Sequence, residues 1–166
     1  MVQETDFPHC RKIFSDIQKR FELAEQVAAY KHKYQMPIYA PNVESKIIAE
    51  LESAALALNF EQNSVTPFIL FLMAISVQRQ EALFKIWADT NNTNLETPDL
   101  EHTLRPQIKA LTLNILKQIK SAKDELKAEN KLALEKIMTR NIHPDNMSDS
   151  NKAQLLNLLF NIKESI

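Results

Sequence analysis

The sequence contains no glycine at all. Glycine-rich loops allow backbone N–H groups to approach a phosphate closely, and both the P-loop and the dinucleotide-binding fingerprint depend on such loops. The absence of glycine therefore excludes the commonest nucleotide-binding motifs, although it does not exclude every kind of nucleotide site.

Cysteine is nearly absent as well, because the chain has only Cys10. A single cysteine excludes an intramolecular disulfide and argues against a structural zinc site. The four histidines are scattered along the chain without a repeated ligand spacing: His9, His32, His102 and His143. We therefore expect neither a metal ion nor another cofactor.

The chain also lacks an excess of charge of one sign and a long hydrophobic run. It has 20 basic and 21 acidic residues and a net charge of −1, which gives no electrostatic footprint for nucleic acid or an anionic membrane. No apolar run approaches the roughly 18–20 residues that cross a bilayer. We expect neither nucleic acid nor membrane as a partner.

The first ten residues, MVQETDFPHC, do not resemble a signal peptide. That start fits either a cytoplasmic protein or the mature form of an exported protein that carries an added methionine. The N-terminus therefore leaves the compartment open.

Helical periodicity is what the sequence does contain. Its 166 residues suit one domain, which we predict to span residues 1–166. Apolar residues recur at steps of three and four, which predicts helices over 8–33, from about 43 to 58, 64–87, 98–127, 130–139 and 149–163. No useful alternation of period two is present. The prediction is an all-α bundle of about six helices, in which the long third helix, with its run VTPFILFLMAISV, is central and buried.

Several residues are predicted to begin or end these helices. Pro8 is expected to begin the first helix, and Asn59 is expected to take the left-handed conformation after the second. Ser64 and Thr97 are expected to be the N-caps of the third and fourth helices. Pro106 either kinks the fourth helix or marks its effective start.

Two cations of the first helix share one of its faces. Arg20 and Lys31 are eleven residues apart, which brings them almost to the same azimuth and about 16 Å apart along the axis. The residues between them on this face are apolar: Leu23, Ala24, Val27 and Ala28. A cation in such surroundings is poorly hydrated unless an anion meets it. We interpret this helix as one wall of a pocket for a small dianion.

Other polar residues fall on helix faces that are expected to be buried. Ser76 and Gln80 lie one turn apart in the apolar third helix, where they either form a helix–helix hydrogen bond or point into the same pocket. Arg105 lies at the edge of an apolar stripe, where an arginine usually extends to water. Glu44 lies in the first turn of the second helix, where the helix dipole alone favours a carboxylate.

Taken together, these residues resemble the all-helical (AroQ-type) chorismate mutases. The first helix contains the pattern R-x-x-x-L-A-x-x-V from Arg20, and Lys31 follows eleven residues after that arginine. A proline-containing link, Glu44, and S-V-x-x-Q-x-A-L from Ser76 complete the pattern. The similarity covers about residues 10–88 and continues more loosely into LRPQIKALTLNIL.

The resemblance is greatest to the exported gamma subclass, in which one chain encloses its own site. It implies a core of three helices over residues 8–90, with C-terminal helices over 98–166 that complete the pocket. It also implies a periplasmic or secreted protein, while a cytoplasmic location and a homodimer remain open. The arginine that this subclass supplies from a later helix corresponds to Arg105.

The activity implied by the resemblance is the Claisen rearrangement of chorismate, a dianion, to prephenate. It needs no nucleophile, metal or cofactor, only a bound compact conformer and stabilisation of the charge that develops at the breaking C–O bond. Arg20 and Arg105 would bind carboxylates as bidentate forks. Lys31 and Gln80 would donate to the ether oxygen, and Glu44 would accept from the ring hydroxyl. The resemblance places Ser76 at the carboxylate end.

The chain departs from the family pattern at two positions of the link and second helix. Ala40 and Val43 stand where the family usually has Asp and Arg. Loss of that arginine is expected to cost on the order of 2–4 kcal/mol of transition-state stabilisation. Lys46 is three residues beyond Val43 on nearly the same face. We hypothesise that Lys46 partly substitutes for the arginine, the alternative being a solvated lysine.

Three alternatives to a chorismate mutase remain open at this stage. An isochorismate-pyruvate lyase shares the fold, the cationic pocket and a pericyclic mechanism. A catalytically weakened or silent relative would retain the helices as a binding module, which the losses at Ala40 and Val43 favour. The last alternative is an unrelated helical adaptor that has no pocket.

Overall fold

The computed structural model describes residues 6–89 and 96–166. The described chain forms six α-helices: α1 (Pro8–Lys33), α2 (Pro41–Ala57), α3 (Gln62–Ala88), α4 (Arg105–Ser121), α5 (Lys131–Asn141) and α6 (Asp149–Asn161). A π-helical turn at Leu100–Leu104 leads into α4, and a 3₁₀ turn at Ala128–Asn130 precedes α5. Within these ranges the β-structure is limited to an isolated bridge between Phe60 and Glu164. The predicted all-α bundle of about six helices is confirmed.

Helix α1 is the element against which most of the bundle packs. It contacts α3, α4, α5 and the π-helical turn, because its apolar residues recur every three or four positions and cover a wide face. Ile13, Phe14, Ile17 and Ala28 are completely buried on this face. Burial of each larger side chain contributes about 1.5–3 kcal/mol, so α1 is a rigid support for the polar residues that it carries.

The N-terminus of α1 is held by a carboxylate from far along the chain. The backbone N–H groups of His9 and Cys10 donate to the two oxygens of Glu125, at 3.2 and 2.9 Å. These N–H groups have no partner within the helix, and an anion is favourable at this end of the helix dipole. The contact fixes α1 against the segment that follows α4.

Helix α3 buries one face of its long apolar sequence. Val65, Phe68 and Ile69 are completely buried, and the helix packs against α1, α2 and α6. Leu70 and Ile86 of the same helix are exposed, with 46% and 57% of their surface accessible. In the described ranges, no helix has the length and apolar character needed to cross a membrane.

The start of α3 differs from the sequence prediction. Glu61 is at the N-cap position, so Ser64 lies inside the helix and the prediction of Ser64 as the cap was wrong. The Ser64 hydroxyl donates to the carbonyl of Glu61 and accepts the N–H of Lys163, both at 2.9 Å. Its hydrogen bonds therefore attach the C-terminal segment to α3. Asn59 has the predicted left-handed conformation, with φ 69°.

The fourth helix also differs from its prediction. The carboxylate of Asp99, rather than Thr97, accepts the N–H of His102 at the start of the π-helical turn. Helix α4 then begins at Arg105 and ends at Ser121, six residues before the predicted end. Pro106 is in its first turn. Proline is tolerated there because the N–H groups of the first turn have no hydrogen-bond partner within the helix. Residues 90–95 of the predicted polar loop lie outside the described residues.

Candidate active site

A cavity of about 440 Å³ lies between α1, α2, α3 and the first turns of α4. All eight site residues predicted from the sequence line it: Arg20, Lys31, Val43, Glu44, Lys46, Ser76, Gln80 and Arg105. They come from four helices and from positions widely separated in sequence. The fold therefore brings the whole predicted set to one concave surface.

Arg20 is a buried cation on the cavity wall. Only 8% of its surface is exposed; its Nη1 donates to the carbonyl of Leu72 at 3.3 Å, and its Nε is buried without a partner among the described residues. Burial lowers the pKa of Arg20 to about 10. A charge held this way is poorly solvated and unevenly hydrogen-bonded, so an anion in the cavity stabilises it strongly.

Lys31, at the other end of the same face, is also buried, with 5% exposed. Its Nζ donates to the carbonyl of Ile38 at 2.7 Å, which holds the link between α1 and α2. Burial lowers the pKa of Lys31, the positive charge of Arg105 lowers it further, and Glu44 raises it. Groups from α1, α2 and α4 therefore interact electrostatically across the cavity.

Glu44 combines a capping role with its position at the cavity. Its Oε2 accepts the backbone N–H of Ala40 at 3.3 Å, across the N-terminus of α2. This hydrogen bond satisfies one of the unpaired donors of the helix end, and the carboxylate lies in the favourable region of the dipole. The link residue Ala40 donates its N–H to Glu44 and also lines the cavity.

Ser76 and Gln80 contact each other on the cavity side of α3. The Gln80 Nε2 donates to the Ser76 Oγ at 3.3 Å, so this bond lies within one helix rather than between two. Gln80 is 5% exposed, and its Oε1 is buried without a partner among the described residues. Such an unpaired buried acceptor costs about 1–3 kcal/mol, which is typical of a functional group rather than of core packing.

Arg105 is the first residue of α4 and lines the cavity. Its guanidinium pairs with Glu101 in the preceding π-helical turn, and 21% of its side chain is exposed. Burial lowers the pKa of Arg105. The side chain therefore lies at the cavity rather than extending to water, and π-helical turns are frequent at functional sites.

Three charged residues of the cavity were not predicted from the sequence: Glu50, Glu101 and Lys109. The Lys109 Nζ lies 2.9 Å from the Glu50 Oε2, which joins α4 to α2. Glu50 follows Lys46 by one helical turn, and Lys109 follows Arg105 by one turn. Continuing each helix face by four residues would have identified two of the three.

The charges on the cavity wall have a net positive sign. The wall carries five cations, namely Arg20, Lys31, Lys46, Arg105 and Lys109. It carries three carboxylates, namely Glu44, Glu50 and Glu101, so two positive charges are in excess. Opposite potentials attract a ligand and orient it. The wall thus complements a small molecule with two negative charges.

Comparison with known proteins gives a family match over the first three helices. Residues 11–81 match the family model described as chorismate mutase type II. This segment contains seven of the eight predicted site residues; the remaining residue, Arg105, lies beyond it.

Solved structures match nearly the whole chain. The secreted chorismate mutase of Yersinia pestis has a TM-score of 0.81 and 19% identity, and the match covers 93% of this chain and 98% of that one. Chorismate mutase from Burkholderia thailandensis has a TM-score of 0.72 and 25% identity, and the match covers 91% of this chain and 96% of that one. Chorismate mutase from Burkholderia phymatum has a TM-score of 0.76 and 17% identity, and the match covers 92% of this chain and 94% of that one. Residues 11–81 are therefore similar to the chorismate mutase type II family, and nearly the whole chain shares the fold of these three structures.

Proposed function

We propose that the chain catalyses the rearrangement of chorismate to prephenate in the cavity between α1 and α4. The main observation that supports the proposal is that Arg20 is a buried cation and forms no ion pair with a carboxylate among the described residues. The similarity of residues 11–81 to the chorismate mutase type II family supports the reaction, and the excess of two positive charges on the cavity wall matches the two carboxylates of chorismate.

The reaction breaks the ether C–O bond and forms a C–C bond in one concerted step. No proton is transferred and no covalent intermediate forms, so the protein contributes through positioning and electrostatics. Its tasks are to hold the compact conformer of a flexible dianion and to stabilise the negative charge that develops on the ether oxygen.

In this proposal the two arginines bind the carboxylates. Arg20 approaches from α1 and Arg105 from α4, so two different helices contribute the groups that bind the carboxylates. Planar guanidinium groups bind carboxylates through two parallel hydrogen bonds, which fixes orientation as well as distance. Arg105 would exchange its contact with Glu101 for a substrate carboxylate.

Lys31 and Gln80 act on the ether oxygen. Lys31 contributes a buried positive charge, and the amide of Gln80 adds a donor without adding charge. For Nε2 of Gln80 to reach the ether oxygen, the amide rotates by about 180° about its terminal torsion, which is broad and roughly two-fold. The Ser76 hydroxyl then donates to the Gln80 Oε1, and this acceptor is no longer unpaired.

The first turns of α2 complete the substrate contacts. Glu44 accepts from the ring hydroxyl, as an ionised carboxylate can only accept. Val43 gives an apolar contact where the family usually has arginine, and Lys46 supplies part of the missing positive charge from the same helix face. The site is therefore expected to function with weaker substrate binding than a site that has the arginine.

We also propose that the protein is exported. The similarity to a Yersinia pestis chorismate mutase described as secreted supports this location. Fractionation of the native cells, with the protein detected by an antibody in each fraction, would test export. Recovery in the cytoplasm alone would contradict it.

The proposed activity is tested by incubating the purified protein separately with chorismate and isochorismate and identifying the products. Prephenate from chorismate is the expected result. Pyruvate released from isochorismate, without prephenate from chorismate, would identify a lyase instead. Variants of Ser76 give a finer test, since Ser76→Ala is expected to lower kcat more than it raises KM, by removing the group that orients Gln80.

A further inference from the structure

A charged cluster lies at the open side of the cavity, next to Val43. It consists of Lys46 and Glu50 on α2 and Lys109 on α4. The Lys109–Glu50 ion pair spans the two helices at 2.9 Å, with 48% and 38% of the respective side chains exposed. The hydrogen bond and charge of Lys109 lower the pKa of Glu50, and the charge of Lys46 lowers it further. Three charges from two helices therefore interact here.

The two cations of α4 that line the cavity resemble each other in their partners. Arg105 and Lys109 are one turn apart on the same helix face, and each pairs with a carboxylate that also lines the cavity: Glu101 for Arg105 and Glu50 for Lys109. Arg20 and Lys31, by contrast, donate to backbone carbonyls. The α4 cations thus have counter-ions for which a bound anion can substitute.

We infer that Lys109 is a further substrate-binding residue, which donates to a substrate carboxylate at the open side of the cavity, and that Glu50 competes with this carboxylate for Lys109. This inference rests on the proposed function. Val43 contributes no charge at this point of the wall, so the positive charge near it comes from Lys46 and Lys109. Exposed ion pairs contribute only about 0–1 kcal/mol, so the exchange of Glu50 for a second carboxylate has a small energetic cost.

The inference predicts opposite effects for the two members of the ion pair. We would measure the Kd for prephenate, the product dianion, by titration calorimetry at neutral pH. Lys109→Met is expected to weaken binding about tenfold, the lower end for a hydrogen bond to a charged group, and Lys109→Arg to restore it. Glu50→Gln is expected to tighten binding about two- to threefold, because the competing charge is removed. A purely structural ion pair predicts weakening in both variants.

A matched pair elsewhere in the chain provides the control. Lys123 and Glu164 form a similar exposed contact at 3.5 Å and do not line this cavity. Lys123→Met and Glu164→Gln should leave the Kd for prephenate unchanged. Weakening by Glu50→Gln, or no effect of Lys109→Met, would overturn the inference.

The same variants separate this inference from the proposed function. Turnover of chorismate is measured in parallel, and a KM change in Lys109→Met with kcat within about twofold is expected for a residue that contributes uniform binding. A further outcome is that the wild type binds prephenate and the two variants change its Kd in opposite directions, while chorismate is not converted. That result would refute the proposed function and would still identify Lys109 as an anion-binding residue.

Discussion

The Lys31 Nζ donates to the backbone carbonyl of Ile38 at 2.7 Å. This one hydrogen bond joins the part of the site that retains the family pattern, on α1, to the link that leads to Ala40 and Val43, where the chain departs from that pattern. The position of the link therefore depends on the same side chain that is proposed to stabilise the ether oxygen.

The charge on Lys31 should give the activity an alkaline limit. Burial first, and the charge of Arg105 second, lower the pKa of Lys31 from its ordinary value of 10.5. Only the protonated lysine stabilises negative charge, so kcat/KM, which reports the free enzyme, should fall as pH rises through a value below 10.5. A pH profile of kcat/KM checks this. In Lys31→Arg the limit should move to higher pH, and a wild-type profile that stayed flat beyond pH 10.5 would contradict the role of Lys31.

Arg20 should be needed for activity but unfavourable for stability. Burial lowers its pKa from the ordinary value to about 10 in the folded protein, so the folded state disfavours the charged form. This destabilisation is fully present below pH 10 and is relieved as the pH rises from there towards the ordinary arginine pKa. At pH 7, Arg20→Met should raise the free energy of unfolding by about 1–3 kcal/mol and lower kcat/KM by about 10³-fold.

Urea denaturation and steady-state kinetics on the same Arg20→Met preparation test both effects. Arg79→Met is a suitable control, because Arg79 pairs with Glu25 at 2.9 Å and does not line the cavity. A less stable Arg20→Met protein would show that Arg20 is chiefly structural.

Gln80 should make the activity independent of pH in the neutral range. Replacing it by glutamate keeps the shape but requires a proton for donation. Gln80→Glu should therefore be active at acidic pH and lose activity as the pH rises through the pKa of the new carboxyl. The measurement is kcat against pH for both proteins. Equal profiles would rule out donation from Gln80.

Restoring the family arginine should improve the site. Val43→Arg places a cation on the cavity wall and is expected to raise kcat/KM by about tenfold or more, since one preorganised donor contributes about 2.7–4 kcal/mol. If Lys46 partly substitutes for this arginine, Lys46→Ala should lower kcat/KM in the natural sequence and have less effect in the Val43→Arg background. An unchanged kcat/KM in the single Lys46→Ala variant would refute the substitution.

Local patterns in the sequence were sufficient to predict the number of helices and the shared face of Arg20 and Lys31. The first helix was predicted over its observed bounds, Pro8–Lys33, because Pro8 and the apolar periodicity are both local signals. Arg20 and Lys31 could be assigned to one face from spacing alone. The identity of the remaining site residues came from the resemblance of several helices in register, rather than from periodicity.

Long-range contacts account for most of what was missed. Ser64 was taken for a helix cap, whereas its hydroxyl bonds to Lys163, 99 residues away in sequence. The pairing of Lys109 with Glu50 likewise depends on how α4 packs beside α2. No local pattern encodes either contact, since each requires the packed bundle.

The most direct test of the proposed function is the fate of chorismate when it is incubated with the purified wild-type protein. Chorismate should disappear with prephenate as the product, whereas Arg20→Ala should abolish the reaction and leave the helical circular dichroism near that of the wild type. Absence of prephenate at micromolar enzyme would contradict the proposed function.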